Sequence, residues 1–196
     1  LAESEINRFT QDMEALNTRP AALEPRATES IAGMIELIRG LESGGHTYTV
    51  DGVTYFDVTT FVSFGELSHL TNEEMTALAA ERGGSPDDPR QRNALDFVLW
   101  QPSADDEPRW DSPFGAGRPG WHIECSAMSM DALGTTIDIH GGGEDLIFPH
   151  HECEIAQSES VTGVTFSRYW VHTGLVGYQG TKMSKSLGNL VFVSDL

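Results

Sequence analysis

Apolar residues recur at helical spacing at the start of the chain. Ile6, Phe9, Met13 and Leu16 fall three or four positions apart, which predicts a helix. We expect this helix to end before Pro20, because proline has no N–H with which to continue the hydrogen-bond ladder.

Shorter elements follow, each bounded by a recognisable start or stop signal. Periodicity, caps and turn residues together predict them. The first is a helix over 31–41, with Thr28 as its cap and Gly44-Gly45 as its stop. Two strands follow over 46–50 and 53–58, joined by an Asp51-Gly52 hairpin turn, and then a helix that starts at a Thr71–Glu74 capping box. The last is a strand over 95–100, which lies between loops at 83–94 and 101–120.

The last part of the chain alternates between helix-like and strand-like segments. Such alternation favours βαβ units and a parallel sheet, so the expected fold class is α/β. The segments are a helix over 121–133, a strand over 136–140, a helix over 149–161 and a strand over 168–173.

The charge balance is strongly acidic, with 12 basic against 30 acidic residues and a net charge of −18 among 196 residues. Such a surface repels phosphate backbones and argues against nonspecific binding of nucleic acid through a broad basic face.

No apolar run approaches the roughly 20 residues of a membrane helix. Two cysteines are too few for a disulfide framework, so we expect a cytoplasmic protein without membrane contact. The chain also starts without Met and reads as a piece of a longer protein.

One metal-site hypothesis comes from residues 125–154. A helix that starts at Pro149 places His150 and Glu154 one turn apart on one face, and Cys125 on its own helix can add a thiolate. The alternative is a buried cysteine and a capping histidine, and spacing alone does not separate the two. Cys153 points about 100° away from Glu154 on an ideal helix and is interpreted as an ordinary helix residue.

Two further segments have the composition of ligand-binding loops. Gly141, Gly142 and Gly143 precede Asp145 between a predicted strand and helix, which suits either close approach of a nucleotide or a simple tight turn. Residues 182–186 read Lys-Met-Ser-Lys-Ser and contain both lysines of the chain. These lysines suit contact with a triphosphate, although a solvated surface pair is the simpler interpretation.

These segments resemble one known family. Residues 182–186 look like the KMSKS signature of class I aminoacyl-tRNA synthetases, and residues 117–128 and 138–157 resemble the cysteinyl-tRNA synthetases closely. The resemblance implies the second half of a class I Rossmann catalytic domain, with an inserted α+β connective domain. It divides the chain into the end of the first Rossmann half at 1–25, the insertion at 26–118, and the second half with the zinc site and the KMSKS loop at 119–196.

The resemblance also implies roles for individual residues. The implied activity is ATP-dependent activation of L-cysteine and its transfer to tRNA(Cys), with zinc, ATP and Mg, and with most tRNA contact outside this chain. The implied zinc ligands are Cys125, His150 and Glu154; the other implied roles are Trp121 in the cysteine pocket, Gly143 and Asp145 at the adenosine, and Lys182, Ser184 and Lys185 at the phosphates.

Two features keep other functions open. The family's HIGH signature and its fourth zinc ligand, a cysteine, do not occur in this sequence. The related mycothiol-pathway ligases transfer cysteine to glucosaminyl-inositol, and residues 80–86, 112–115 and 188–194 resemble theirs. They usually lack a carboxylate at the Glu154 position, which favours tRNA as the acceptor. A zinc-binding fragment without catalytic activity is the remaining alternative.

Overall fold

The computed structural model describes residues 2–184 and 187–196. It contains five α-helices and eight β-strands in this described part of the chain. The helices are α1 (Ala2–Ala15), α2 (Ile31–Ser43), α3 (Asn72–Glu81), α4 (Trp121–Leu133) and α5 (Glu152–Thr162). The strands are β1 (Thr47–Val50), β2 (Val53–Phe56), β3 (Phe97–Gln101), β4 (Arg118–Pro119), β5 (Ile137–Gly143), β6 (Ser167–Thr173), β7 (Gly177–Tyr178) and β8 (Thr181–Lys182).

The chain divides into two compact units. One consists of Leu1–Glu24 and Gly174–Leu196, and the other of Pro25–Thr173. The first contains α1 and the β7–β8 hairpin, and in it the Arg8 guanidinium lies 4.3 Å above the centre of the Phe192 ring. The division into segments at 25 and 118 remains a prediction.

The larger unit combines an antiparallel sheet, a parallel strand pair and the four helices α2 to α5. Strands β1 to β4 form the antiparallel sheet in chain order, while β5 and β6 pair in parallel around α5 as a βαβ unit. This confirms the predicted α/β pairing in the last part of the chain. Residues from α2, α4, α5, β2 and β3 share one apolar core, which includes Met34, Phe56, Trp100, Ile123 and Ala156.

Local signals predicted several elements correctly. The hairpin pairs Val50 with Val53 around the Asp51-Gly52 turn. Thr71 and Glu74 form the reciprocal capping box of α3. These predictions are correct because the interacting groups are neighbours in sequence, so their hydrogen bonds form in the same way in most tertiary structures.

Other predicted boundaries were wrong. Thr28 does not cap α2, because residues 27–29 form a separate 3-10 turn and Ser30 takes the cap position. The strand predicted over 136–140 runs on to Gly143, because its glycines pair with β6. The regular α-helix begins at Glu152 rather than at Pro149, because residues 147–151 form an irregular π-type turn in which Phe148 is extended (φ −135°, ψ 137°). The strand predicted over 95–100 spans Phe97–Gln101, and the predicted loop after it contains β4.

Two glycines allow the start of α4 to lie against β3. A Cβ at Gly120 would overlap the carbonyl oxygen of Val98, and one at Gly117 would overlap that of Gln101. The Gly120 N–H donates to the Leu99 carbonyl at 3.0 Å. This close approach places the first turn of α4 beside the sheet.

Candidate metal and substrate site

Three predicted ligands converge in the larger unit. Cys125 lies on α4, His150 lies in the irregular turn before α5, and Glu154 lies in the first turn of α5. Their candidate ligand atoms all lie within 4.8 Å of one another. The structure therefore brings together the sulfur, nitrogen and oxygen donors that the sequence singled out.

Trp121 joins this group from the first turn of α4. It precedes Cys125 by four positions, which puts both side chains on one face of the helix. Its ring stacks on that of His150, with 4.5 Å between the ring centres and 26° between the planes. The indole nevertheless remains 55% exposed, so one of its faces can contact a ligand.

The two oxygens of the Glu154 carboxylate differ in their surroundings. The residue is fully buried, and Oε2 lies 2.8 Å from Nε2 of His140 on β5. Oε1 has no hydrogen-bond partner among the described residues and lies 3.7 Å from Nε2 of His150. A buried carboxylate oxygen without a donor is costly, so Oε1 is suited to accept a cation.

The surroundings favour neutral side chains when no metal is bound. Burial, with the nearby carboxylates of Glu154 and Glu124, raises the pKa of the Cys125 thiol to about 12. Burial also lowers the pKa of His150, and this effect outweighs the opposing influence of Glu154. A neutral imidazole has one nitrogen lone pair to offer, and a cation at this position would favour the thiolate form of the cysteine.

These residues fit a zinc ion. Zinc bonds of about 2.0–2.3 Å place tetrahedral ligand atoms roughly 3.3–3.8 Å apart, so only small side-chain movements are needed. The donor types are those that zinc prefers, and the partnerless Oε1 points to an ion rather than to a closed hydrogen-bond network.

Sequence reasoning missed the contacts that four histidines make around this site. His122 Nδ1 lies 2.9 Å from Nδ1 of His150, and His151 Nδ1 lies 2.8 Å from Nε2 of His172. His140 is the fourth, and its Nε2 lies 2.8 Å from Oε2 of Glu154. The available signal was the concentration of five of the seven histidines after residue 117. Residue spacing could not show which of them pair, because they come from four different elements.

The glycine segment has a structural explanation that the sequence did not show. A Cβ on Gly142 would lie 2.8 Å from Cε1 of His151, so this glycine makes room for a histidine. Gly143 ends β5, and the following turn carries the half-buried Asp145. Nη1 of Arg82 donates to the backbone carbonyl of Asp145 at 2.6 Å and to that of Phe148. The turn is thus held from α3.

The lysine-containing loop belongs to the smaller unit. Lys182 ends the β7–β8 hairpin, and the N–H of Ser184 donates to Oδ1 of Asn189 at 2.8 Å. The amide of Asn189 donates in turn to the carbonyl of Lys182 at 3.2 Å. Lys185 lies outside the described residues.

A separate cavity of about 320 Å³ lies between the β2–β3 strands and the segment 82–97. Trp121 and His122 close one side of it, and the Asp88–Arg90 pair lies on another. Its described lining contains none of the three candidate ligands, so this cavity is distinct from the metal cluster.

No helix in the described residues combines the length and apolar character needed to span a bilayer.

Comparison with known proteins identifies relatives over the whole chain. A cysteine–tRNA ligase of Picosynechococcus sp. is 51% identical over 197 residues, covering 100% of this chain and 42% of that protein. The cysteine–tRNA ligase of Aquifex aeolicus is 51% identical over 196 residues, covering 100% of this chain and 39% of that protein. The chain thus spans about two fifths of the length of these curated relatives.

A solved structure shares the fold. Mycobacterium tuberculosis methionyl-tRNA synthetase in complex with methionyl-adenylate matches with a TM-score of 0.61 and 19% identity, covering 95% of this chain and 46% of that one. The family model described as tRNA synthetases class I (C) catalytic domain matches residues 1–196. This full-length match, with relatives at about half identity, shows that the chain belongs to the class I tRNA synthetase (C) catalytic-domain family.

Proposed function

We propose that the chain is part of the catalytic domain of a cysteine–tRNA ligase, which activates L-cysteine with ATP and transfers it to tRNA(Cys). The observation that carries this proposal is the group formed by half-buried Cys125 with buried His150 and Glu154, in a chain about half identical to cysteine–tRNA ligases. The partnerless Oε1 of Glu154 supports a metal at this position.

Zinc is the metal that these side chains suit, with a fourth ligand from outside this chain. A bound zinc would supply a metal–thiolate bond to the substrate, which selects cysteine over serine more sharply than an apolar pocket can. Cys125 supplies sulfur, His150 supplies Nε2 and Glu154 supplies Oε1.

Trp121 forms one wall of the cysteine pocket in this proposal. Its stacking on His150 fixes the indole beside a candidate ligand, and its exposed face is available to the substrate. The side chain thus positions cysteine by shape and excludes water from the thiol.

The nucleotide contacts come from two segments. Gly143 and Asp145 lie at the carboxyl end of β5, where α/β folds bind nucleotides, and we assign them to the adenosine of ATP. Lys182, Ser184 and Lys185 contact the phosphates with Mg, and the lysines stabilise the charge that develops when the cysteine carboxylate attacks the α-phosphate. The acidic net charge of −18 supports tRNA contact mainly outside this chain.

The test is cysteine-dependent exchange of pyrophosphate into ATP by the full-length protein. We expect exchange and one tightly bound zinc in the wild type, and loss of the exchange and of this tightly bound zinc in Cys125→Ala. Cys153→Ala is the matched control, because Cys153 is buried in the apolar core. Exchange retained after Cys125→Ala would refute the zinc role, and zinc binding without exchange in the wild type would indicate a non-catalytic zinc-binding protein.

The acceptor is tested separately. The full-length enzyme is incubated with cysteine and ATP together with either tRNA or glucosaminyl-inositol. We expect cysteine transfer to tRNA alone. Turnover only with glucosaminyl-inositol would assign the chain to mycothiol synthesis instead.

A further inference from the structure

Glu154 takes part in a second group of potential ligands. The candidate ligand atoms of His140, His151 and Glu154 also lie within 4.8 Å of one another. Oε2 of Glu154 lies 2.8 Å from Nε2 of His140 and 4.0 Å from Nε2 of His151. The carboxylate thus faces the proposed zinc ligands with Oε1 and two further imidazoles with Oε2.

The two groups share the same supporting arrangement. Nδ1 of His150 pairs with His122, and Nδ1 of His151 pairs with His172. When His151 donates its Nδ1–H to Nε2 of His172, its own Nε2 has a lone pair directed toward Glu154. Histidines that bind metals nearly always donate their other ring N–H to a neighbouring group. His151 has the same arrangement as His150, with Nδ1 paired and Nε2 left for a metal ion.

The group is enclosed on most sides, and His140 is its most exposed member. His151 is 2% exposed and Glu154 is fully buried, whereas the side chain of His140 remains 17% exposed. The absence of a side chain at Gly142 provides the space that the His151 ring occupies. The rings of Phe166 and Trp170 pack against His140 from the strand side.

We propose that His140, His151 and Oε2 of Glu154 form a second divalent-metal site, separate from the zinc site of Cys125 and His150 but sharing its carboxylate. The site takes a borderline transition-metal ion such as Zn²⁺ or Co²⁺, because imidazole and carboxylate are its donors and no sulfur is present. Enzymes hold ions about 3.5–4 Å apart in two-metal sites, so one carboxylate can serve both.

The second site binds more weakly than the first. It has no thiolate, and its carboxylate already serves the first ion. Its occupancy therefore depends on the concentration of free metal ion. Metal binding at the second site does not depend on the proposed ligase activity.

The experiment is a titration of the metal-free full-length protein with Co²⁺, followed by absorption spectroscopy and by competition with a chelator. We expect a first equivalent with the thiolate-to-cobalt charge-transfer absorption of Cys125. A second equivalent should follow with only ligand-field bands, at least about tenfold weaker. Cys125→Ala should lose the charge-transfer absorption and keep the site of the second equivalent.

Three variants locate the second equivalent. His140→Phe and His151→Phe each remove one nitrogen ligand while keeping an aromatic ring, and we expect both to abolish it while keeping the charge-transfer absorption. His172→Phe removes only the partner of His151 and should weaken the second equivalent by about 10- to 100-fold.

Three outcomes would overturn the proposal. Binding that ends at one equivalent in the wild type would leave His140 and His151 as hydrogen-bonding residues only. A second equivalent that persists in both His140→Phe and His151→Phe would place the ion elsewhere. Loss of both equivalents in Cys125→Ala would show a single site.

Discussion

Nε2 of His140 lies 2.8 Å from Oε2 of Glu154, across a contact between β5 and α5 in which the carboxylate is fully buried. This hydrogen bond is the only one that a side chain in the described part of the chain makes to the Glu154 carboxylate. It fixes the orientation of the group and leaves the other oxygen directed toward His150 and Cys125.

Replacing His140 should destabilise the metal-free protein. His140→Phe leaves both Glu154 oxygens without a donor, and an unsatisfied buried polar group costs about 1–3 kcal/mol. We expect a loss of that size in the free energy of unfolding, measured by urea titration in the presence of a chelator. His140→Gln retains an N–H donor and should lose less. Equal stability of His140→Phe and the wild type would contradict this role.

Glu152 should be important for attaching the loop before α3 to α5. Its buried carboxylate accepts the N–H of Gly65 at 2.8 Å and that of Ser68 at 3.0 Å. Glu152→Gln replaces one acceptor with an NH₂ group that faces a donor, so we expect a loss of about 1.5–3 kcal/mol in urea unfolding. Glu81→Gln, at an exposed position, is the control and should change stability by less than about 0.5 kcal/mol. Similar small effects from both variants would refute the anchoring role.

Arg82 should control the order of the turn that carries Asp145. Its guanidinium donates to two backbone carbonyls of that turn, Asp145 and Phe148. Arg82→Ala removes both bonds, and we expect faster hydrogen exchange at the amides of residues 144–148 and 150, corresponding to about 2 kcal/mol less protection. Arg39→Ala is the control, because Arg39 pairs only with exposed Glu36 in the described structure. Unchanged hydrogen exchange in Arg82→Ala would show that the turn is ordered without the hydrogen bonds from Arg82.

A methyl group at Gly120 should disturb the start of α4. The added Cβ would overlap the Val98 carbonyl, so the backbone must shift and the Trp121–Cys125 face of the helix with it. We expect Gly120→Ala to destabilise the protein by about 1–3 kcal/mol, the usual cost of overpacking. Gly33→Ala in α2 meets no atom within 4 Å and should stabilise by about 0.5–1 kcal/mol, because glycine is unfavourable within a helix. Thermal unfolding measures both, and the prediction fails if the two changes have the same sign.

The Asp88–Arg90 pair should make stability depend on pH in the acid range. The Arg90 side chain, which hydrogen-bonds to Asp88, lowers the pKa of that carboxyl from 3.8 to about 2. Because the pKa is lower in the folded state, the contribution is complete above pH 3.8 and is lost as the pH falls to about 2.

The stability difference between the wild type and Asp88→Asn should therefore shrink between these two pH values. Acid unfolding curves measure it, and Asp87→Asn controls for the loss of one negative charge in the same loop. A difference that stays constant down to pH 2 would contradict the assignment.

The sequence predicted elements whose signals lie within a few residues. The capping box at Thr71, the hairpin turn at Asp51-Gly52 and the helix over Trp121–Leu133 all appear as expected. Each depends on contacts between residues two to four positions apart, which form in the same way in most tertiary contexts.

Local reasoning of the same kind anticipated only part of the geometry of the candidate metal ligands. His150 and Glu154 are four positions apart, so their shared face followed from helix geometry, although the regular helix starts two residues after His150. The sequence left two explanations of the glycine segment open, close approach of a nucleotide and a tight turn, and neither predicted the contact at Gly142. The neighbour that requires a glycine there is His151, which lies nine positions away and approaches from another element.

By itself, the sequence determined the family, the local helices and turns, and the residue types that can bind a metal. Only the tertiary structure decided which of those residues meet. His122, His140, His151 and His172 come from α4, β5, the turn before α5 and β6, and they pair only when these elements pack together. The position of Glu154 between two imidazole groups is set by that packing, because the fully buried carboxylate must satisfy its oxygens with whatever donors the neighbouring elements bring to it.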